Sequence, residues 1–229
     1  MELPVNQIIQ GDCLEVMKDW PDKSIDLIVT DPPYGVGREY DIHDDNDDNY
    51  PAWLAGRMAT VFRVSGFAAV TPGIRNIWLY PKANWVFCWH KPNSMRRSDI
   101  GGFNMWEPLL FYGKKVIYQD AITIPTIPKG DALGHPCPKP LKLMIWAITK
   151  MSELNSLVCD PFCGSGTTCV AAKMLGRNYI GIDISEKYCE IARARLRAVD
   201  TGVPAKEALK GQMALFGDAA VPEEELTGE

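Results

Sequence analysis

An α/β fold, built on a largely parallel sheet with helices on both faces, is the class that this sequence predicts. Residues 157–160 indicate a strand, followed by a glycine-rich turn, a helix over 167–175 and a strand over 179–183. Strand, turn, helix and strand in that order form a βαβ unit with parallel strands. With 229 residues, of which 46% are hydrophobic, the chain can bury one sizeable core. We therefore expect one domain over residues 1–199 and an acidic, flexible tail over 200–229.

Short apolar runs predict the remaining elements. The run at 25–30 is too short and too rich in β-branched residues for a helix, so we expect a buried strand there. Residues 41–49 are strongly acidic, which indicates either a solvated loop or a mobile lid over a substrate. Similar patterns predict strands at 5–11, 67–70 and 85–89, and helices or helical turns at 13–20, 53–64, 141–150 and 187–198.

Charge is unevenly placed along the chain. The formal net charge is -5, which by itself argues against a nucleic-acid partner because phosphate binding needs clustered Lys and Arg. Residues 200–229, however, hold seven acidic and two basic residues, so the rest of the chain is neutral. Local basic positions in that neutral part can line a nucleic-acid channel without requiring one: Arg75, Lys91, Arg96, Arg97, Lys114 and Lys115.

Membrane, disulfide and metal sites are not predicted. No run of about 18 apolar residues is present, and the first residues lack the basic and apolar regions of a signal peptide. Seven cysteines form an odd number without a C-x-x-C pair, which favours reduced thiols over a disulfide framework or a zinc site. We expect a soluble, cytoplasmic protein without bound metal.

A glycine-rich loop occupies residues 160–168, with the sequence Asp-Pro-Phe-Cys-Gly-Ser-Gly-Thr-Thr. Gly164 and Gly166 allow a tight turn and a close approach of the backbone to a ligand. A phosphate-loop nucleotide site is a poor match because no Gly-Lys-Ser/Thr follows. A dinucleotide site is a weaker match because Cys169 stands where the third glycine belongs.

The tetrapeptide Asp31-Pro32-Pro33-Tyr34 comes directly after the strand predicted at 25–30. Consecutive prolines fix φ near about -65° and have no N–H, so a carbonyl in this segment is a rigid acceptor. Taken alone, the tetrapeptide also suits a type I turn after a strand. Its position about 130 residues before the glycine-rich loop makes it a candidate half of a two-part site.

These two segments, in this order, resemble the catalytic motif and the cofactor loop of the β-group S-adenosylmethionine-dependent DNA amino-methyltransferases. The resemblance spans residues 5–198 and includes segments at 89–93 and 106–114. It implies a Rossmann-like methyltransferase fold with a permuted motif order, S-adenosylmethionine as cofactor and DNA as substrate. It also implies a bacterial or phage-encoded enzyme of the restriction-modification type.

The first residue of the catalytic motif sorts substrates in that family. Asp goes mainly with N6-adenine, Ser with N4-cytosine, and Asn with protein glutamine or other targets. Asp31 therefore implies transfer to N6 of a flipped adenine. An N4-cytosine enzyme is the alternative within the same chemistry, and a non-catalytic DNA-binding or clamp-tethered module of this fold is the alternative from another class.

The resemblance also implies catalytic roles. An exocyclic amine is a poor nucleophile because its lone pair is delocalised into the ring. The Asp31 carboxylate and the Pro32 carbonyl would accept its two N–H groups and free the lone pair. Tyr34 would stack on a base that has left the duplex. The expected catalytic residues are Asp31, Pro32, Pro33 and Tyr34.

Cofactor contacts follow from the same resemblance. The residues at 160–168 would shape the pocket and lie beside the methionine moiety. Asp183 would accept hydrogen bonds from the ribose hydroxyls, although an Asp there also suits a helix N-cap. Asp12 and Cys13 also suit a simple turn with no ligand contact, and Lys139 could also be an exposed lysine that binds no ligand. The expected set is Asp12 and Cys13 for the adenine ring, Lys139 for the methionine carboxylate, and Asp160, Phe162, Gly164, Ser165, Gly166, Thr167, Thr168 and Asp183 for the rest.

The region available for reading a DNA sequence is short. Larger relatives carry a substantial recognition domain before the family's His-Pro-x-x-Lys-Pro segment, which residues 135–140 resemble here, whereas this chain has only an insert of about residues 116–134. Few base-reading side chains fit there, so we expect a short or relaxed recognition sequence. The acidic loop or a second subunit of a homodimer would supplement it.

The tail contains a candidate docking peptide at residues 212–216. Its sequence, Gln-Met-Ala-Leu-Phe, resembles the Gln-x-x-Leu-Phe peptide by which bacterial enzymes bind the replicative sliding clamp. An apolar pair on an acidic tether suits this role. The alternative is a terminal turn that packs onto its own domain. The clamp contact would involve Gln212, Leu215 and Phe216.

Overall fold

One sheet organises the part of the chain that the computed structural model describes, which comprises residues 2–35, 49–95, 101–113, 119–126 and 139–201. Its strands are β1 (Gln7–Gln10), β2 (Leu27–Thr30), β3 (Ala68–Val70), β4 (Trp85–His90), β5 (Trp106–Tyr112), β6 (Ala121–Thr123), β7 (Leu157–Asp160) and β8 (Asn178–Asp183). The helices are α1 (Cys13–Val16), α2 (Tyr50–Val64), α3 (Leu141–Met151), α4 (Thr167–Met174) and α5 (Glu186–Thr201), and a 3₁₀ helix spans Ile77–Leu79.

The sheet is largely parallel, as the sequence predicted. The strand order is β1-β8-β7-β2-β3-β5-β4-β6. The first five of these strands are parallel to one another. β5 is antiparallel to both β3 and β4, and β6 is parallel to β4. The carboxyl ends of the five parallel strands, and those of β4 and β6, therefore lie along one edge, which we call the carboxyl edge.

Helices cover both faces of the sheet, which confirms the predicted layers. α3, α4 and α5 pack on one face and enclose Leu27 and Val29 of β2 in one apolar cluster. α1 and α2 pack on the other face and enclose Ile28 in a second cluster. All four residues of β2 are buried, because successive side chains point to opposite faces and both faces are covered. The segment that follows β2 therefore starts from a rigid point in the core.

The structure adds two strands to the predicted set. β5 contains a run of four buried residues at 108–111, an apolar pattern that suits a strand covered on both faces. β6 lies inside the insert at 116–134 and pairs with β4. Three residues of that insert thus belong to the sheet, which leaves fewer for contact with bases.

Several helix boundaries differ from the prediction: α1 ends at Val16 rather than at residue 20, and α3 and α4 each end one residue away from the predicted position. α2 begins at Tyr50 rather than at residue 53. Pro51 is tolerated there because backbone N–H groups in the first turn of a helix have no intrahelical acceptor, so a proline costs no hydrogen bond. α5 continues to Thr201, beyond the domain boundary expected at residue 199. Asp200, assigned to the tail, forms an ion pair with Lys173 at 2.6 Å. Residues 202–229 and most of the acidic loop lie outside the described residues.

None of the helices in the described ranges is both long enough and apolar enough to span a bilayer. The described cysteines are free thiols: Cys13, Cys88, Cys159, Cys163, Cys169 and Cys189.

Candidate active site

The two sequence motifs meet at the carboxyl edge, where crevices of open α/β sheets bind ligands. β2 and β7 are neighbouring parallel strands, so the tetrapeptide after β2 lies beside the glycine-rich loop after β7. Thr30 Oγ1 donates a hydrogen bond to Asp160 Oδ1 at 2.7 Å. This bond joins the two segments directly, although they are far apart in sequence.

The Asp31 carboxylate is held by three donors. Its Oδ1 accepts hydrogen bonds from the hydroxyls of Tyr34 and Thr71, each at 2.5 Å. Its Oδ2 accepts from Lys139 Nζ at 2.7 Å. These three donors give the carboxylate a defined orientation. Because the Asp31 side chain is also 26% exposed, it remains within reach of a ligand.

The backbone of the tetrapeptide is anchored from outside. Tyr50 Oη donates to the Pro33 carbonyl at 2.7 Å, and Asn76 Nδ2 donates to the Tyr34 carbonyl at 2.7 Å. Among the described residues, none donates a hydrogen bond to the Pro32 carbonyl. Within the described residues, the turn thus leaves the carbonyl of the residue after Asp31 without a donor, while the following two carbonyls are occupied.

Tyr34 is held as a neutral donor. Burial, followed by the neighbouring carboxylates of Asp31 and Glu107, raises the pKa of Tyr34 well above its ordinary value. Its hydroxyl accepts a hydrogen bond from Lys139 Nζ at 2.7 Å and donates to Asp31. The Lys139 ammonium also lies 5.1 Å from the centre of the Tyr34 ring.

Charges of alternating sign continue inward from Asp31. Lys139 Nζ lies 3.7 Å from Glu107 Oε2, and Lys91 Nζ lies 2.7 Å from Glu107 Oε1. The Lys91 side chain is only 3% exposed. A buried ammonium requires a paired, hydrogen-bonded carboxylate, so Glu107 is the central member of this chain of charges.

In the structure, the Lys139 ammonium binds Asp31 and Tyr34 of the catalytic motif. Its expected contact with the carboxylate of a cofactor stays a prediction. Thr71, Glu107 and Lys91 were absent from the expected set. A weak signal for two of them existed, because Lys91 and Glu107 are charged residues within the segments at 89–93 and 106–114 that resemble the family.

The glycine-rich loop is braced from α5. Gly164 and Gly166 have φ of +50° and +82°, a left-handed region that favours glycine. A Cβ at Gly166 would also lie 2.7 Å from the Cβ of Ala192 in α5. The close approach that requires glycine at position 166 is therefore to α5.

Arg195, which the sequence analysis did not single out, holds the same loop. Its guanidinium is buried and donates to the Ser165 carbonyl at 2.7 Å, to Ser165 Oγ at 3.0 Å and to Thr167 Oγ1 at 3.1 Å. Because Ser165 and Thr167 are both bound from inside the fold, their side chains fix the loop.

Asp160 is an internal brace. Its Oδ1 accepts from Thr30 Oγ1 and from the Phe162 N–H at 3.1 Å, and the Thr168 hydroxyl also donates to the carboxylate. Burial raises the pKa of Asp160 to about 6, although these hydrogen bonds act in the opposite direction. The side chain is 4% exposed, so it shapes the loop rather than its surface.

Asp183, at the end of β8, binds backbone on both sides. Its Oδ2 accepts from the Gly164 N–H at 2.8 Å and its Oδ1 from the Ser185 N–H at 2.9 Å. Burial raises the pKa of Asp183, and these two hydrogen bonds lower it. Ser185 Oγ accepts from the Tyr188 N–H at 3.4 Å, so Ser185 supplies the cap of α5. The expected ribose contact of Asp183 stays a prediction.

Asp12 and Cys13 lie at the start of α1, after β1. Asp12 is the N-cap, and its Oδ1 accepts from the Leu14 N–H at 2.8 Å. Its Oδ2 pairs with Arg57 at 2.6 Å. Burial raises the pKa of Cys13 to about 12, so its thiol stays protonated. The Cys13 N–H belongs to the first turn of the helix, where backbone donors lack intrahelical acceptors.

Aromatic rings line the same end of the site. The guanidinium of Arg57 lies 4.1 Å from the centre of the Trp53 ring, and that ring lies 5.9 Å from the ring of Phe162. Trp53, like Arg57, was not predicted. Together with the acceptors at the ends of β1 and β8 and the backbone of the glycine-rich loop, these rings fit a nucleoside that carries an amino-acid tail.

Comparison with known proteins agrees with this chemistry. The N6/N4 methyltransferase family, described as DNA methylase, matches residues 122–194. YubD of Escherichia coli (strain K12), a methylase by name, is 31% identical over 220 residues, which cover 85% of this chain and 92% of YubD. The type II methyltransferase M.HinfI of Haemophilus influenzae is 31% identical over 251 residues, covering 85% of this chain and 69% of M.HinfI.

Solved structures share the fold. The complex of M1.HpyAVI with SAM matches with a TM-score of 0.64 and 28% identity, over 83% of this chain and 98% of that protein. The PvuII DNA methyltransferase, which is specific for N4 of cytosine, matches with a TM-score of 0.69 over 88% of this chain and 89% of its own. Its sequence identity is 18%, so that likeness concerns the fold alone.

Proposed function

This chain belongs to the N6/N4 family of DNA methylases, and on that premise we propose that it methylates N6 of an adenine in DNA. The chain has the fold of an S-adenosylmethionine-dependent DNA methyltransferase, with S-adenosylmethionine as cofactor and DNA as substrate. The proposal concerns the choice of adenine and the roles of individual residues. One observation carries it: beside the glycine-rich loop, an oriented Asp31 carboxylate is followed in the chain by the Pro32 carbonyl, which accepts no hydrogen bond from the described residues.

Residues at the carboxyl edge suit the cofactor. Asp183 and Asp12 offer carboxylate oxygens at the ends of two parallel strands, where nucleoside hydroxyl and amino groups find acceptors. Phe162 and Trp53 provide apolar surface for a purine ring. The Gly164 to Thr168 backbone, braced by Arg195, leads into the first turn of α4, and the N-terminus of that helix favours negative charge. When bound, S-adenosylmethionine supplies an electrophilic methyl group.

Asp31 and Pro32 act on the amine of the base. Each accepts one N–H, which draws the nitrogen out of conjugation with the ring and makes its lone pair available. Thr71 and Tyr34 occupy Oδ1 of Asp31, so Oδ2 is the oxygen that faces the amine. Positioning of this kind contributes through orientation and electrostatics that are set before the base arrives.

Lys139 controls access to that oxygen. Its ammonium donates to Asp31 Oδ2 at 2.7 Å, where an amine N–H of the base would also donate. A carboxylate oxygen can accept more than one hydrogen bond, so Lys139 either shares Oδ2 with the amine or withdraws towards Glu107. In both cases its positive charge stays close to the Asp31 carboxylate.

Identification of the methylated nucleoside tests the proposal. The purified protein is incubated with labelled S-adenosylmethionine and DNA from methylation-free cells, the DNA is digested to nucleosides, and the labelled product is separated. We expect N6-methyladenosine. N4-methylcytosine, the product type of the PvuII neighbour, would replace adenine by cytosine in the proposal and retain the same chemistry.

Variants of Asp31 separate catalysis from binding. Asp31→Ala should lower transfer by a factor on the order of 100 to 1,000, the loss typical for removal of one preorganised polar group, and should leave cofactor affinity by calorimetry unchanged. Asp19→Ala, at an exposed position on the turn after α1, is the control. Lack of cofactor binding by the unmodified protein would favour the non-catalytic alternative.

The breadth of DNA recognition and the partners are further proposals. We propose a short or relaxed recognition sequence, because β6 takes up part of the insert at 116–134; a strict site of six or more pairs, read by sequencing modified bases, would contradict it. The clamp peptide at 212–216 and a homodimer stay predictions. Capture by the sliding clamp, lost in Leu215→Ala and Phe216→Ala, tests the first, and sedimentation tests the second.

A further inference from the structure

The most exposed large apolar side chain in the described ranges belongs to Trp78, which is 88% exposed. It lies in the 3₁₀ helix Ile77–Leu79, which follows β3. A tryptophan side chain that is exposed to water does not contribute the stabilisation that its burial would give. A single one on a surface can be incidental, so its position relative to the active site decides what it is for.

The segment that carries Trp78 is held at three points against the tetrapeptide at residues 31–34, which we call the catalytic turn. Thr71 donates to Asp31. A Cβ at Gly73 would lie 3.4 Å from the Tyr34 ring, so the Gly73 backbone lies close to that ring. Asn76 Nδ2 donates to the Tyr34 carbonyl. The 3₁₀ helix is therefore rigidly attached to the residues that would hold the target base.

The separation between Trp78 and the catalytic turn is small. A 3₁₀ helix rises about 2 Å per residue, so the Trp78 Cα lies only about 4 Å further along the axis than Asn76, whose amide contacts Tyr34. The indole extends outward from there into solvent. Arg75, on the same segment, is also exposed and places a positive charge where a phosphate backbone would approach.

A base that enters the active site leaves a gap in the duplex. Enzymes that act on flipped bases must offset the lost stacking, and apolar wedges on DNA-binding proteins fill such gaps between base steps. We propose that Trp78 stacks on the bases that flank the flipped nucleotide and stabilises the open duplex. This inference rests on the proposed function, because it requires a base that leaves the helix.

Trp85 provides a matched control on the same protein. It is 55% exposed and is the first residue of β4. β4 runs in the same direction as β3, since both are antiparallel to β5. Trp85 therefore lies at the edge opposite to the active site, where it cannot reach a base next to the flipped nucleotide.

The experiment compares two synthetic duplexes that contain the site methylated by the unmodified protein. One is fully paired, and the other has an abasic nucleotide opposite the target base, which is then already unpaired. Trp78→Ala should lower kcat/KM on the paired duplex about 10- to 100-fold, the range of one base–aromatic stacking contact, and should approach the unmodified protein on the abasic duplex. Trp78→Phe should recover most of the loss, and Trp85→Ala should behave as the unmodified protein on both.

Three results would overturn the inference. Trp78→Ala could leave transfer to the paired duplex unchanged, or it could lose activity equally on both duplexes, which would indicate a general defect. It could also convert a dimer to a monomer in sedimentation, which would assign Trp78 to contact with a second copy of the chain. Failure of the unmodified protein to methylate any DNA would refute the proposed function instead, so the two failures are distinguishable.

Discussion

Replacement of Thr71 by valine removes a hydroxyl that donates to Asp31 Oδ1 at 2.5 Å while it preserves the shape of a side chain that is 1% exposed. A hydrogen bond to a charged group contributes about 1.5–3 kcal/mol. If Thr71 acts by orienting the carboxylate towards the amine, kcat should fall about 10- to 150-fold. Tyr34 and Lys139 still bind Asp31, so some activity should remain.

Steady-state methyl transfer and calorimetry together test this reasoning. The loss should appear in kcat with a small change in KM for DNA. The affinity for S-adenosylmethionine should be unchanged, because β2 separates β3, which Thr71 follows, from β7, which the glycine-rich loop follows. Thr71→Ser, which keeps the hydroxyl and loses a methyl group, is the matched control and should retain most activity. Equal losses in Thr71→Val and Thr71→Ser would refute an orienting hydrogen bond and indicate a packing effect.

Three further perturbations address stability. Burial raises the pKa of Asp160 from 3.8 to about 6, so its contribution to stability is fully present below pH 3.8 and is lost as the pH rises through 6. Denaturant unfolding should therefore show Asp160→Asn gaining about 2 kcal/mol relative to the unmodified protein between pH 4 and pH 7. A pH-independent difference would contradict this. Gly166→Ala should lower the free energy of unfolding by about 2–5 kcal/mol, from the positive φ and the contact with Ala192, whereas Gly56→Ala, with open space around its Cβ, should cost nothing. Glu107→Gln should destabilise by about 3 kcal/mol because it removes the carboxylate that pairs with the buried Lys91 ammonium, and Lys91→Met should cost less because Glu107 keeps Lys139 at 3.7 Å. The double variant should cost less than the two single variants together. Additive losses in urea unfolding would exclude the coupling.

Local patterns in the sequence were sufficient for the fold class and for the two motifs. The apolar runs that form β2, β7 and β8 could be recognised from the sequence. Strand formation depends on neighbouring residues and on burial, and the types of residue in a short run indicate both. β5 and β6 were missed. β6 has only three residues, and its pairing with β4 is a tertiary event that periodicity does not reveal.

Sequence alone determined that a strand followed by Asp-Pro-Pro-Tyr precedes a glycine-rich cofactor loop, and that this order is typical of DNA amino-methyltransferases. Tertiary structure decided which side chains surround the Asp31 carboxylate. Lys139 is 108 residues from Asp31 along the chain and Thr71 is 40 residues away, and Arg195 reaches back to Ser165 from another helix. The physical reason is that such contacts depend on how strands and helices pack together, and residue spacing along a chain does not encode that distance.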